Sequence, residues 1–193
     1  MNRKVGLFFG SFNPIHVGHL IIANHIVEHT DLREVWFVIT PHNPFKKKSS
    51  LLDERQRLYM VNLAVEDNYN LRASSVEFDL PIPSYTVDTL AYLDEKYPDN
   101  EFRLIMGSDN LMSLSKWKNY EQIVKRNKII VYPRPGYEAP ELAAKLDVEL
   151  LNVPQMILSA SHIRKTIKDA KSIKYLVTEP VRKYIEEMNL YKS

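Results

Sequence analysis

Scanned for the spacing of its apolar positions, the chain separates into short continuous apolar runs and longer stretches of helical period. The runs are Val5-Gly-Leu-Phe-Phe9, Glu34-Val-Trp-Phe-Val-Ile39, Phe102-Arg-Leu-Ile-Met106 and Asn127-Lys-Ile-Ile-Val-Tyr132. Their length and β-branched and aromatic content predict buried strands. Leu20-Ile-Ile-Ala-Asn-His-Ile-Val27 has the spacing of a helix packed on a sheet, as does Asp53 to Val65, in which Leu58, Val61, Leu63, Ala64 and Val65 are the expected core positions. Leu71 to Phe78 alternates loosely and predicts a further strand, Ala139 to Leu146 a helix, and Val148 to Val153 a short strand. Thr178 to Met188 reads as a structural helix started by proline. A strand, a helix and a second strand within the first 39 residues imply a parallel, right-handed crossover, and so an α/β fold.

Composition narrows this little. The 193 residues are enough for one domain, residues 1–193, with no repeat, linker or low-complexity tract to divide it. Net charge is +2, so no broad basic field for nucleic acid is expected. The absence of cysteine excludes disulfides and thiolate catalysis. The apolar run after Met1-Asn-Arg-Lys4 is too short for a signal-peptide core, and no run is long enough for a membrane helix, so a soluble cytoplasmic protein is expected. A homo-oligomer is compatible with the sequence but not indicated by it.

The candidate chemistry starts where the first strand meets the first helix, at Gly10-Ser-Phe-Asn-Pro-Ile-His-Val-Gly-His19. Gly10 and Gly18 would let backbone approach a ligand closely. His16 and His19 are spaced to share one face of a first helical turn, beside unpaired amides at the positive end of the helix dipole. This is a phosphate-site arrangement. Zinc is disfavoured, because cysteine is absent and helical ligand pairs are usually four apart. The Gly-x-x-x-x-Gly-Lys and Gly-x-Gly-x-x-Gly phosphate loops are also absent here.

The segment Gly10–His19 resembles the N-terminal motif of the HxGH nucleotidyltransferases and, more narrowly, of bacterial nicotinate-nucleotide adenylyltransferases, which join nicotinate mononucleotide to ATP. The resemblance runs from Gly10 to about Tyr191 through six segments in the family's order. It implies a Rossmann-like open parallel sheet with helices on both faces. It places ATP against Gly10, Ser11, Phe12 and Gly18, with Asp109 of Ile-Met-Gly107-Ser-Asp facing the nucleotides. Ser159, Ser161 and Arg164 of Ser-Ala-Ser-His-Ile-Arg would then grip the ATP phosphates. Independently of any family, Arg164 in a first helical turn is unfavourable unless an anion is near.

For the mononucleotide, the resemblance points to Ser84, Tyr85 and Thr86 as the nicotinate-reading segment, to Gly107, and to Trp117 as a stacking platform for the pyridine ring. Lys46, after Pro44-Phe45 in a proline-broken loop, and Arg134 of Arg-Pro-Gly-Tyr137 are further candidates. Each has a plainer reading. Ser84 or Thr86 can simply cap a helix, Asp109 can be an N-cap, Trp117 can be half-buried packing, and Arg134 can neutralise acidic neighbours. Asn13 and Ser161 stand where many family members carry Asp and Thr, both changes between short polar side chains.

The reaction implied is attack by a phosphate oxygen of nicotinate mononucleotide on the α-phosphorus of ATP, with His16, His19 and Arg164 as catalytic donors. That oxygen is already anionic, so no general base is required. Mg²⁺ is expected to arrive with ATP and to need few protein ligands, leaving no metal site built from side chains alone. Alternatives are adenylyl transfer to nicotinamide mononucleotide or another acceptor, and a nucleotide sensor without turnover.

Overall fold

Six parallel strands lie in the order β3-β2-β1-β4-β5-β6, in a computed structural model that describes residues 3–41, 51–138 and 140–192. The strands are β1 (Arg3–Gly10), β2 (Glu34–Ile39), β3 (Leu71–Ser74), β4 (Asn100–Gly107), β5 (Ile129–Tyr132) and β6 (Glu149–Leu150). Between and after them come α1 (Val17–His29), α2 (Glu54–Val65), α3 (Thr86–Lys96), α4 (Ser108–Ser113), α5 (Tyr120–Arg126), α6 (Pro140–Lys145), α7 (Ala160–Lys168) and α8 (Glu179–Glu187).

The two-residue period of each strand decides which face a side chain joins. Val5, Leu7, Trp36, Val38, Leu104, Met106, Ile129 and Val131 share one core with Leu90 and Leu93 of α3, Leu111 of α4, Ile123 of α5 and Ala143 of α6. Phe8, Val35, Phe37, Ile39, Ile105, Ile130 and Tyr132 share the other with α1, α2, α7 and α8, through Ala23, Ile26, Met60, Val61, Ile163, Val181 and Ile185. Helices on both faces explain why the strands read as unbroken apolar runs. Strand order reverses between β1 and β4, whose carboxyl ends, Gly10 and Gly107, therefore open onto the crevice where such sheets bind ligands.

Three elements depart from expectation. The strand expected over Leu71 to Phe78 stops at Ser74, and Val76–Asp79 forms a 3₁₀ turn instead. Within that turn the Glu77 carboxylate points inward and is buried, accepting from Ser84 and Thr89 hydroxyls. The strand expected over Val148 to Val153 pairs only at Glu149–Leu150, at the exposed edge of the sheet. In α2, Leu58 and Leu63 only flank the core, while Arg57 is fully buried.

Candidate active site

The loop from β1 to α1 is built around Phe12. It adopts the left-handed backbone, φ 44°, which costs a residue with a Cβ about 1–2 kcal/mol. Its ring is buried edge-on against Phe8, Phe37 and His19, with centroids 5.9, 5.3 and 5.1 Å away. The close approach at Gly10 serves this ring: a Cβ there would lie 2.8 Å from it. Gly10 was expected to make room for a ligand and Phe12 to touch ATP. The glycine makes room for the phenyl ring, which belongs to the core, and it also lines the adjoining cleft.

His16 caps α1 in extended conformation, and its ring stacks on that of His19 at 3.7 Å and 22°, so the shared face predicted by their spacing is present. The His16 amide donates to His19 Nδ1 at 3.3 Å, which places the His19 proton on Nε2. His16 is buried and its Nδ1 has no hydrogen-bond partner among the described residues. Burial, then the nearby positive charge of Arg134, lower its pKa to about 4, so it is neutral at physiological pH. A Cβ on Gly18 would come within 3.1 Å of that Nδ1. The amide donors are fewer than expected, because Val17 N–H donates to the Leu176 carbonyl at 3.0 Å and His19 N–H to the His16 carbonyl at 2.9 Å.

Residues far along the chain complete this edge. Arg164 Nη1 donates to the Asn13 carbonyl at 2.7 Å and Nη2 to Ser161 Oγ at 3.3 Å, pinning α7 to the first loop. Ser159 caps α7, its hydroxyl accepting from His162 N–H at 3.2 Å. Ser11 presents its carbonyl to Arg57 at 2.7 Å. At the end of β4, Arg134 Nη1 lies 3.0 Å from Asp109 Oδ2, while the Arg134 amide donates to Ser108 Oγ at 2.8 Å. The N-cap of α4 is Gly107, so Asp109 is not a cap, and its buried Oδ1 has no partner among the described residues. A Cβ on Gly107 would collide with Asp109 Oδ1 and sit 2.9 Å from Arg134 Cδ. His16, Gly18, His19 and Arg134 surround a small pocket of about 40 Å³.

On the other side of β1 lies a cleft of about 440 Å³, lined among others by Gly10, Thr40, Ser84, Tyr85, Thr86 and Trp117. The capping expected of Ser84 or Thr86 does not occur. Tyr85 is the N-cap of α3 without a side-chain bond, and the Ser84 hydroxyl donates to Glu77 Oε2 at 3.0 Å. Thr89 Oγ1 donates to Glu77 Oε1 at 2.8 Å. Burial raises the Glu77 pKa against these hydroxyl bonds. Asp88 and Thr89 amides turn back to the Tyr85 carbonyl, which leaves those of Thr86 and Val87 as the first-turn donors. Trp117 is half-buried in the cleft wall.

Sequence reasoning missed Glu77, Arg57, Thr40 and Lys118 at this edge. The sequence around Ser84 to Leu90 holds no cation, but the fold brings Lys118 across, its Nζ 2.9 Å from Asp88 Oδ2 and 4.7 Å from the Tyr85 ring centroid. Lys46 lies outside the described residues. Among those described, no group of three or more His, Asp or Glu side chains is placed to hold a metal, and no helix is long and apolar enough to cross a membrane.

Residues 7–174 match the Cytidylyltransferase-like family model. With the sheet order and a His-x-Gly-His turn at its switch point, this defines the chain as a nucleotidyltransferase. Curated relatives named "Probable nicotinate-nucleotide adenylyltransferase" include one from Christiangramia forsetii, 57% identical over the whole of both chains, and one from Flavobacterium psychrophilum, 52% identical over 98% of this chain and all of that one. The chain belongs to the nicotinate-nucleotide adenylyltransferase family. Its fold is shared with the nicotinic acid mononucleotide adenylyltransferase of Plasmodium falciparum, solved in complex with NaAD, with TM-score 0.84 and 24% identity over 98% of this chain and 97% of that one.

Proposed function

We propose that this enzyme transfers the adenylyl group of ATP to nicotinate mononucleotide, forming deamido-NAD and pyrophosphate, with residues 1–193 acting as one catalytic domain. The observation that carries this reading is that the cleft holding Ser84, Tyr85, Thr86 and Trp117 runs up to Gly10, directly beside the loop that carries His16 and His19. A pyridine ring on the Trp117 face would put its carboxylate near the free amides of α3 and its phosphate towards the phosphate loop. One anionic phosphate oxygen forms the new bond to the α-phosphorus. The bond from that phosphorus to the bridging oxygen breaks, and pyrophosphate leaves with the electron pair.

His16, a neutral imidazole, acts as a dipolar donor, with His19 Nε2–H and the unused N–H groups of Arg164 as its companions. These groups are held before substrate arrives, which is the condition for electrostatic stabilisation of a transition state. Phosphoryl chemistry of this kind draws on a divalent cation, here Mg²⁺ carried on the triphosphate, which neutralises charge on the phosphate oxygens. Asp109 Oδ1, buried and without a partner among the described residues, would be the protein oxygen to hold a water of that ion. Arg134, expected to serve the mononucleotide, lines the niche of His16 and His19 and not the cleft, so it joins Ser161 on the ATP side.

The relatives' names and the NaAD and APC complexes of the Plasmodium enzyme support this choice of substrates. Pyrophosphate release with ATP and either nicotinate or nicotinamide mononucleotide tests it. Strong preference for the acid is expected. Equal rates would overturn the acid specificity, and ATP binding without turnover would favour a sensor.

A further inference from the structure

Two buried charges at the carboxyl edge of the sheet have no part in the chemistry described so far: Arg57, which lines neither subsite, and Glu77, buried in the wall of the mononucleotide cleft. Arg57 is fully buried, yet no carboxylate among the described residues pairs with it. Its guanidinium donates to carbonyls: Nε to Leu52 at 2.9 Å, Nη1 to Ser11 at 2.7 Å and to Thr40 at 2.9 Å, and Nη2 to Pro41 at 3.1 Å. One side chain thereby ties the phosphate loop after β1 to the end of β2 and the approach to α2. Desolvating a guanidinium this way is costly, and a packed apolar side chain would generally be as good for stability. What an apolar residue could not do is fix three chain segments at once through a planar fork.

Glu77 is the matching anion. It is 2% exposed and accepts from the hydroxyls of Ser84, in the mononucleotide cleft, and of Thr89, buried in α3. The hydroxyl of Thr40 also stabilises its carboxylate. Thr40 thus meets Arg57 with its carbonyl and Glu77 with its side chain. Arg57 binds Ser11 and Thr40, and Thr40 shares the wall of the mononucleotide cleft with Glu77 and its partner Ser84.

We propose that Arg57 and Glu77, joined through Thr40, are positioning residues that hold the mononucleotide cleft in register with the phosphate loop, so that the attacking phosphate and the α-phosphorus meet in line. Arg57 lines neither subsite, and Glu77 acts through the hydroxyls that it holds in the cleft wall. This rests on the function proposed above, and a misplacement of about an ångström between two reactants is enough to lower the rate a hundredfold.

A double-mutant cycle tests it. Glu77→Gln keeps the shape and loses the charge; it raises KM for the mononucleotide about tenfold and leaves KM for ATP within about twofold. Arg57→Lys keeps the charge and loses the fork, and lowers kcat about tenfold or more. Because both act on one alignment, the double variant loses much less than the product of the two single losses. Losses that multiply would make the two residues independent structural supports and overturn the proposal. So would parallel changes in both KM values for Glu77→Gln. If Arg57→Lys does not fold, Thr40→Val, which removes the hydroxyl and keeps the carbonyl, must still reproduce the selective rise in mononucleotide KM. A Thr40→Val enzyme with unchanged KM also overturns it. Wild-type protein that makes no dinucleotide would refute the function itself, a result distinct from any of these.

Discussion

The two subsites flanking β1 are prepared in opposite ways. The mononucleotide cleft is already a cavity of about 440 Å³, a volume that suits a small organic ligand. The phosphate side is a niche of about 40 Å³, little more than the room one water takes in the liquid. It is filled by the protein's own groups: two stacked imidazoles and the Arg134 side chain, itself paired to Asp109. The ring site needs space and one flat wall, and its specificity is added by amides at the rim. The phosphate site needs dense, fixed donors, and the Phe12 wedge, the buried His16 and the Arg164 strut to Asn13 supply rigidity in place of volume. Shape is prepared on one side and electrostatics on the other.

If that contrast is right, damage on the phosphate side lowers kcat and damage in the cleft raises KM. The largest effect is expected at His19. His19→Ala should fold normally and lose at least about a hundredfold in kcat, the roughly 3–4 kcal/mol that a well-placed donor to developing charge contributes. Steady-state pyrophosphate release alongside a thermal melt decides it. An unchanged kcat would take His19 out of the mechanism and leave the stacked pair as packing.

Next comes pH. His16 has a folded pKa of about 4 against an ordinary value of 6.5, lowered first by burial and then by Arg134. The unfolded chain therefore binds a proton here that the folded one refuses. Stability from this residue is complete above pH 6.5 and is lost as pH falls towards 4, amounting to roughly 3 kcal/mol. Urea titrations between pH 7 and 4 should show that loss, and His16→Gln should flatten it. A His16→Gln profile as steep as the wild type would mean that other groups carry the acid sensitivity.

How much of this was legible in the sequence follows from the range of the forces involved. The strands and main helices were readable because apolar spacing is local and the core merely ratifies it; β2 was bounded to the residue at Glu34 and Ile39. The stacking of His16 on His19 was readable for the same reason, since three residues along a helix fix the geometry. Glu77 and Arg57 were not. A Glu in an alternating stretch and an Arg in an amphipathic helix both read as solvent-facing, and only the meeting of β2, α2 and α3 turns them inward. Gly10 shows a subtler gap, because the residue was singled out for one reason and the structure adds a second. The neighbour that needs the space is Phe12, and nothing in the local pattern announces a left-handed phenylalanine.

In the cleft, Trp117→Ala should raise the mononucleotide KM about tenfold, near the 1.4 kcal/mol that an aromatic stacking contact contributes, and leave kcat nearly unchanged. A fall in kcat of the same size would mean that Trp117 aligns the reacting phosphate as well as holding the ring, and the contrast between the subsites would weaken.

The smallest effect is expected at Lys118, and it bears on what reads the carboxylate. Two agents are available, the uncharged amides that begin α3 and the Lys118 ammonium at the rim. Lys118 is about half exposed and already shares its charge with Asp88, so solvent screens it and its contribution stays below about 1 kcal/mol. Lys118→Met should therefore reduce the preference for nicotinate over nicotinamide mononucleotide by only about two- to fivefold. Moving wild type from low to roughly 0.5 M salt should erode the preference to a similar degree, since a field from an exposed charge is screened there and amide hydrogen bonds are not. If the preference instead collapses with Lys118→Met, the rim charge is the reader and the amides are secondary. If neither salt nor substitution moves it, the helix amides discriminate alone.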